Sequence, residues 1–278
     1  MCALNSINPN FSILIPVKNE EKNLSLCLEA VKEFDDVIIV DSHSTDGTGE
    51  IAQKYNREVI QFDWDGHFPK KRNWVLRNCR FKYDWVLFLD ADERVTQDFT
   101  NEVCKVINNT KHVAFWILYS YWFLGRLLKH GDVPRKTALL KIGSGEYERI
   151  EEDHWSSLDM EVHEHMVVNG SVGIIRSKLE HYDKRELVAY YDRHNQYTSW
   201  EAHRFIVLKD KSVLSFRQRI KYRMLTWYIF PPCYFFVSYF LKLGFLDGRP
   251  GFYFNIGKLF KFYQIQAKII ECLQKENK

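Results

Sequence analysis

Two carboxylates one residue apart, Asp90 and Asp92, close the run Trp85-Val86-Leu87-Phe88-Leu89-Asp90-Ala91-Asp92-Glu93. Just past a rigid strand, such a pair can hold a divalent cation and the hydroxyls of a ribose together. Oxygen ligands suit Mg2+ or Mn2+, and these metals usually keep substrate phosphates as further ligands. A solvated acidic turn is the alternative for the D-A-D taken alone. The support is also in the sequence. Trp85 to Leu89 is continuously apolar rather than alternating, which predicts a strand buried on both faces. The carboxylates then sit at its C-terminal end, where open α/β sheets place their ligands.

The elements before this run alternate in type. Phe11 to Val17, with Pro16 inside it, reads as a first strand, followed by the polar turn Lys18-Asn19-Glu20-Glu21. Asn23 to Phe34 carries Leu24, Cys27, Leu28 and Val31 at helical spacing. Val37 to Val40 is a second buried strand ending in Asp41, and Ser42-His43-Ser44-Thr45-Asp46-Gly47-Thr48 is a turn rich in capping residues. A helix from Thr48 to Tyr55 and a short strand at Val59-Ile60 follow. This β-α-β-α-β pattern predicts a parallel sheet with right-handed crossovers. Lys70-Lys71-Arg72-Asn73 opens a helix running to about Cys79. Basic residues in a first helical turn oppose the macrodipole, so either an anion lies near them or they form a solvated face. Downstream, helix is expected over Phe99 to Ile107, and strands over Val113 to Tyr121, Ala138 to Ile142 and Ser171 to Ile175. Leu179-Glu180-His181-Tyr182 closes this half.

Composition bounds the rest. The 278 residues, 46% apolar and 27% charged, suffice for one large domain or a domain with an appendage. A formal net charge of +3 argues against a polyanion binder, and no nucleic-acid partner is expected. Six scattered cysteines without C-x-x-C spacing read as buried reduced thiols. The N-terminus lacks a signal-peptide pattern, so the catalytic part is expected in the cytosol.

The last third changes character. A long polar helix is expected from Lys184 to about Lys209. Arg217, Arg219, Lys221 and Arg223 then precede an uncharged run from Met224 to Leu241, nearly long enough to span a bilayer. Pro231-Pro232 should break a helix there. Two short apolar helices bent at the prolines and dipping into one leaflet fit best. A kinked span and a helix pair packed inside the protein are the alternatives. Tyr253 to Leu273 reads as a final amphipathic helix. The expected division is residues 1–183 for binding and catalysis and 184–278 for a helical region, membrane-associating over about 215–265.

Four pieces taken together resemble the inverting glycosyltransferases of family 2. They are Ile15-Pro16-Val17-Lys18-Asn19-Glu20, Val40-Asp41-Ser42-His43-Ser44-Thr45-Asp46-Gly47-Thr48, Lys71-Arg72-Asn73 and Asp90-Ala91-Asp92-Glu93. Val162-His163-Glu164 and Leu243-Gly244-Phe245-Leu246-Asp247-Gly248 look like the subgroup that builds lipopolysaccharide cores and other surface glycans. The resemblance implies an α/β GT-A fold, Rossmann-like with a mostly parallel sheet, that binds a nucleotide-sugar, commonly a UDP-sugar. It implies donor contacts from Pro16, Lys18, Asn19, Glu20, Asp41, Ser44, Arg72, Asp90, Ala91 and Asp92. Asp90 would meet the ribose side and Asp92 the metal, Mn2+ or Mg2+, with Asp90 and His181 as further candidate ligands. In-line displacement needs a carboxylate to take the acceptor proton; the resemblance assigns this to Glu164, whereas the residues alone leave Glu161, Asp153 and Glu152 open. Glu161→Gln is expected to be mild. The implied acceptor is a lipid-linked saccharide at the cytoplasmic leaflet, with a polyprenyl-phosphate acceptor as the alternative.

Overall fold

The computed structural model describes residues 9–132, 134–149, 158–161, 165–208 and 216–276. They separate into two units: one holds the chain up to Tyr121 with Pro134–Lys184, the other holds Trp122–Val133 with the chain from Arg185 onward.

The first unit is built on one large sheet, with a separate two-stranded sheet formed by residues 145–147 and 166–168. Strands β1 (Ser12–Val17), β2 (Val37–Asp41), β3 (Val59–Gln61) and β4 (Trp85–Phe88) are parallel, in the order β3-β2-β1-β4. Helices α1 (Leu24–Ala30), α2 (Thr48–Lys54) and α3 (Lys71–Asn78) lie in the connections. Every residue of β1 and β4 is buried, as expected for strands covered on both faces. Beyond β4 the sheet is mixed rather than parallel. After β5 (Glu93–Arg94) and α4 (Gln97–Ile107) come β6 (His112–Phe123), β7 (Arg126–Leu128), β8 (Arg135–Lys141), β9 (Gly145–Tyr147), β10 (Met166–Val168) and β11 (Ser171–His181). The order continues β4-β8-β6-β11-β5, with β8 antiparallel to both neighbours and β6 parallel to β11. No helix joins β6 to β8, and antiparallel neighbours need none. Strand β11 runs past the expected Ile175 to His181, with a register shift between Ile175 and Leu179. That shift carries its end alongside β5, pairing His181 with Glu93.

The second unit is helical: α5 (Leu187–Val207), α6 (Phe216–Leu225), α7 (Phe230–Phe236) and α8 (Gly248–Glu276), with a π-helical turn at Val237–Leu241 and a 3-10 turn at Gly244–Asp247. Ala202, Tyr222, Leu225, Phe230, Ile265 and Ile269 form its core. The bend falls at 226–229, before the prolines, and measures 117°. Pro231 and Pro232 occupy the first turn of α7, where a missing N–H costs nothing. No single helix among the described residues is long and apolar enough to cross a membrane. Cys233 is exposed, unlike the buried Cys27 and Cys104.

The excursion 122–133 begins with a two-residue turn, Leu124 and Gly125, both at positive φ, which suits a hairpin between β6 and β7. Its far end is tied to the helices. The Lys129 and His130 amides donate to the Asp247 carboxylate, at 3.1 and 2.9 Å, and the Gly131 amide donates to the Lys242 carbonyl. Tyr234 and Lys242 reach Asp132 at 2.5 and 2.7 Å. Gly251 packs so closely on the Gly244 carbonyl that a Cβ would lie 2.4 Å from it. These contacts account for much of the Leu243–Gly248 motif as scaffolding of the excursion.

Candidate active site

The turns after β1 and β2 are locked to each other. Asn19 adopts a left-handed φ of 56°. Its amide donates to Ser44 Oγ at 2.8 Å, and its own Oδ1 accepts from the Thr45 amide at 2.8 Å. The Glu20 amide donates to Thr48 Oγ1. Asp41 is buried and accepts from the Ser44 amide and hydroxyl, the latter at 2.5 Å, and from Gln61. Pro16 is buried within β1, while Lys18 and Asn19 are exposed beside the turn. Pro16, Lys18, Asn19, Glu20, Asp41 and Ser44 therefore gather at the C-terminal ends of two adjacent strands.

The basic start of α3 is not a solvated face. Lys70, Lys71 and Arg72 are all buried, and the protein itself supplies anions to Lys71 and Arg72. Lys71 Nζ donates to the Val17 carbonyl at 2.8 Å and lies 3.4 Å from Asp159. Burial pushes its ammonium below the ordinary lysine value, against the pull of Asp159. Glu161 is 1% exposed and accepts from the Arg72 and Asn73 amides at 2.8 and 3.0 Å. It satisfies two of the orphan donors that any helix N-terminus leaves. Glu161 is thus tied to the start of α3, so Glu161→Gln is expected to act on stability. The Arg72 side chain reaches the Glu161 carbonyl and Asp90 Oδ1 and packs over the Tyr147 ring.

At the end of β4, Asp90, Asp92 and Glu93 bring carboxylate oxygens within 4.8 Å of one another. Their environments differ. Both Asp90 oxygens meet cations, Arg72 Nη2 at 2.5 Å and Lys136 Nζ at 2.6 Å. Burial works to raise the Asp90 carboxyl, but Lys136 and Arg72 outweigh it and hold it well below the usual carboxylate range. Glu93, 2% exposed, accepts from the Asp90 amide at 3.0 Å and pairs with Lys136 at 2.9 Å. Burial, with Asp90 and Asp92 nearby, pushes it up to about 6 despite Lys136. Asp92 instead faces His181, whose Nε2 is 3.7 Å from Asp92 Oδ2. The imidazole stacks on Tyr121 at 4.4 Å, and its Nδ1 is buried with no hydrogen-bond partner among the described residues. The Tyr182 amide donates to the Asp92 carbonyl and fixes that backbone.

Asp92 Oδ2 and His181 Nε2, 3.7 Å apart, fit the donor set of a divalent cation. Asp92 and His181 are the residues that would hold it. Glu164, with Val162 and His163, lies outside the described residues, as do Glu152 and Asp153. The sequence reading missed Lys136 and Glu93. An acidic residue directly after D-A-D was visible, but a lone lysine before a strand carries no signal.

A sheet whose parallel half ends in a nucleotide-type double turn and a carboxylate cluster defines a glycosyltransferase of GT-A-like α/β fold. The sequence model of glycosyl transferase family 2 matches residues 12–163, and the chain belongs to that family. It is 26% identical over 274 residues to an uncharacterized glycosyltransferase of Rickettsia felis, covering 95% of this chain and 90% of that one. It is also 26% identical over 275 residues to the lipopolysaccharide core biosynthesis glycosyltransferase LpsC of Rhizobium meliloti, covering 92% and 93%. Among solved structures it is similar to glucosyl-3-phosphoglycerate synthase from Mycobacterium tuberculosis in complex with Mn2+, UDP and phosphoglyceric acid. That match has 20% identity and a TM-score of 0.32, over 40% of this chain and 43% of that one, too slight a likeness to carry an argument.

Proposed function

We propose that this glycosyltransferase is inverting and metal-dependent, and moves a hexose such as glucose from a UDP-sugar to a hydroxyl of a lipid-linked glycan. Residues 1–183 carry the chemistry, and 184–278 attach the enzyme to the cytoplasmic leaflet. The observation that carries the reading is Asp92 beside His181 at the end of a buried strand, with Asp90 held fixed two residues before. When bound there, Mn2+ or Mg2+ supplies positive charge to a departing diphosphate. The coupled turns at Asn19 and Ser44 form a rigid wall for the nucleoside, with Asp41 held in place between them. Asp90, immobilised by two cations, is set to meet the ribose. Glu164 takes the proton of the acceptor hydroxyl, and one displacement from the far face inverts the anomeric centre. The name of the Rhizobium relative supports a surface-glycan acceptor.

Attachment to the leaflet is supported by the second unit. Trp227, Tyr228, Ile229, Phe236, Phe240 and Leu241 are exposed, with Arg223, Lys242 and Arg249 exposed along the same segments. Aromatic side chains suit the membrane interface, and basic groups near anionic lipid contribute roughly 1 kcal/mol each.

The experiment is a screen of nucleotide-sugars for thermal stabilisation and hydrolysis, with Mn2+ and with chelator. UDP and its sugars should stabilise the protein in Mn2+ and not in chelator, and the product should carry the opposite anomeric configuration to the donor by NMR. Equal UDP affinity in chelator, or a retained anomer, overturns the reading.

A further inference from the structure

Strand β11 arrives at His181 by way of a bulge. Along its first part Ile175 lies opposite Ile117 of β6, but further on Leu179 lies opposite Tyr119. Arg176, Ser177 and Lys178 therefore stand against the single residue Leu118. An insertion of two residues keeps every side chain on its own face, because the side-chain period of a strand is two. Ile175 and Leu179 are accordingly both fully buried. What the insertion changes is which side chain reaches the end of the sheet. Counted on from Ile175 and Ile117 without a shift, Leu179 would lie opposite Tyr121; with the shift, His181 does. There His181 pairs with Glu93, its ring stacks on Tyr121, and the next amide, that of Tyr182, donates to the Asp92 carbonyl.

A bulge disrupts the ladder and leaves its extra residues without strand partners. Here a carboxylate from outside the sheet answers them. Glu102, on α4, accepts from the Arg176 amide at 2.9 Å with Oε1 and from the Ser177 amide at 2.6 Å with Oε2. Burial works to raise the Glu102 carboxyl, but these hydrogen bonds outweigh it and hold it below the ordinary glutamate value. Helix α4 is itself fixed, by the buried Phe99, Val103 and Cys104 and by the Thr96 cap just after β5. One short helix therefore ties the bulge to the chain that leaves the D-A-D. We infer that Glu102 is a positioning residue, which holds the bulge at 176–178 and so sets His181, in place of a leucine, beside Asp92. The role of His181 in holding a cation rests on the metal-dependent reading above. Partners that orient a metal ligand are worth about 10- to 100-fold in metal affinity.

The test uses the full chain with two readouts. One is the NMR spectrum of the His181 ring in metal-free, histidine-labelled protein, assigned by its loss in His181→Ala. The other is Mn2+ affinity in the presence of UDP, by EPR of the free ion. Glu102→Ala should move the His181 ring resonances off the positions that stacking on Tyr121 gives them, and should weaken Mn2+ binding by about 10- to 100-fold. Added to His181→Ala, it should cost no further affinity, because the two changes act through one side chain. Glu102→Gln keeps a single carbonyl oxygen for the two amides, should fall between wild type and Glu102→Ala, and decides if the alanine variant fails to fold. A glutamate that served only stability would lower the melting temperature and leave the ring in place. Unmoved His181 resonances, or an equal loss of Mn2+ affinity with and without His181, overturn the inference. If wild type binds no Mn2+ while Glu102→Ala still moves the ring, the metal-dependent reading falls and the positioning of His181 by Glu102 stands.

Discussion

In the first unit, buried or half-buried cations meet partners of opposite sign: the buried Lys71 meets Asp159 and the buried Arg72 meets Asp90, and the half-buried Lys136 meets Asp90 and Glu93. Its apolar side chains are hidden, and of its large ones only Val167 and Ile174 are exposed among the described residues. The helical unit is built differently. Trp227, Tyr228, Phe236, Phe240, Leu241, Phe245, Leu246 and Phe260 stand exposed. Burial pushes Lys258 and Lys261 down to about 8, and Asp132 and Glu201 do not restore them. The contrast separates two uses of a surface. Charges fixed at known points serve chemistry, because they need no reorganisation as charge moves. The exposed apolar side chains of the helical unit are the feature on which the proposed attachment to the leaflet rests.

Substitutions can break or sharpen this contrast. Glu164→Gln should lower kcat by about 10² to 10⁴, the usual worth of a general base, with UDP-sugar affinity nearly unchanged. Normal turnover would remove the base and favour a phosphate acceptor. Asp92→Ala should lower kcat/KM by about 10² to 10³, as losing one electrostatic stabiliser does, and should end the metal dependence of UDP stabilisation with the fold intact. Glu161→Gln should act on stability. It weakens a buried acceptor for two amides at the start of α3, at a cost of about 1–3 kcal/mol, read as a lower denaturant midpoint. An unshifted midpoint would show that this helix start does not need the charge.

On the helical side, Phe240→Ser with Leu241→Ser should reduce flotation with anionic liposomes at low salt and leave turnover of a soluble acceptor unchanged. Wild-type protein that stays free of such liposomes would remove the docking role. The smallest expected effect is on pH dependence. Burial holds Lys258 down at about 8 in the folded chain against an ordinary 10.5, with Asp132 raising it and Lys261 and Lys242 lowering it further. Between those values the unfolded chain binds more protons, so stability should rise with pH from about 8. The rise should end near pH 10, where unfolded tyrosines ionise while burial and Asp132 hold Tyr234 protonated. Melting temperatures of wild type and Lys258→Met across this window check it, and the variant should show the flatter profile.

The parallel half was legible because continuous apolar runs and capping turns are local signals. The double turn and D-A-D were readable for the same reason. The rest depends on partners far apart in the chain. Lys136 lies 46 residues from Asp90, and the Glu161 carboxylate 89 from the Arg72 amide. Strands β5, β9 and β10 span two or three residues, too few to show a period. His181 reaches the cluster only through a register shift in β11, which no periodicity encodes. The bend before α7 was misplaced because proline breaks a helix interior but is tolerated in a first turn.

The anchoring of the excursion has a consequence for how the chain is made. The His130 amide finds its acceptor in Asp247, 117 residues later. At a synthesis rate of roughly 5–20 residues per second, that partner leaves the ribosome about 6 to 23 s after the amide does. The nascent sheet can complete β4 and β6 in that time, but the tip beyond Leu128 has to wait. A chain stopped at Lys184 would never supply Asp247, so the helical region is a late-arriving buttress of the hairpin rather than a tail that can be trimmed away.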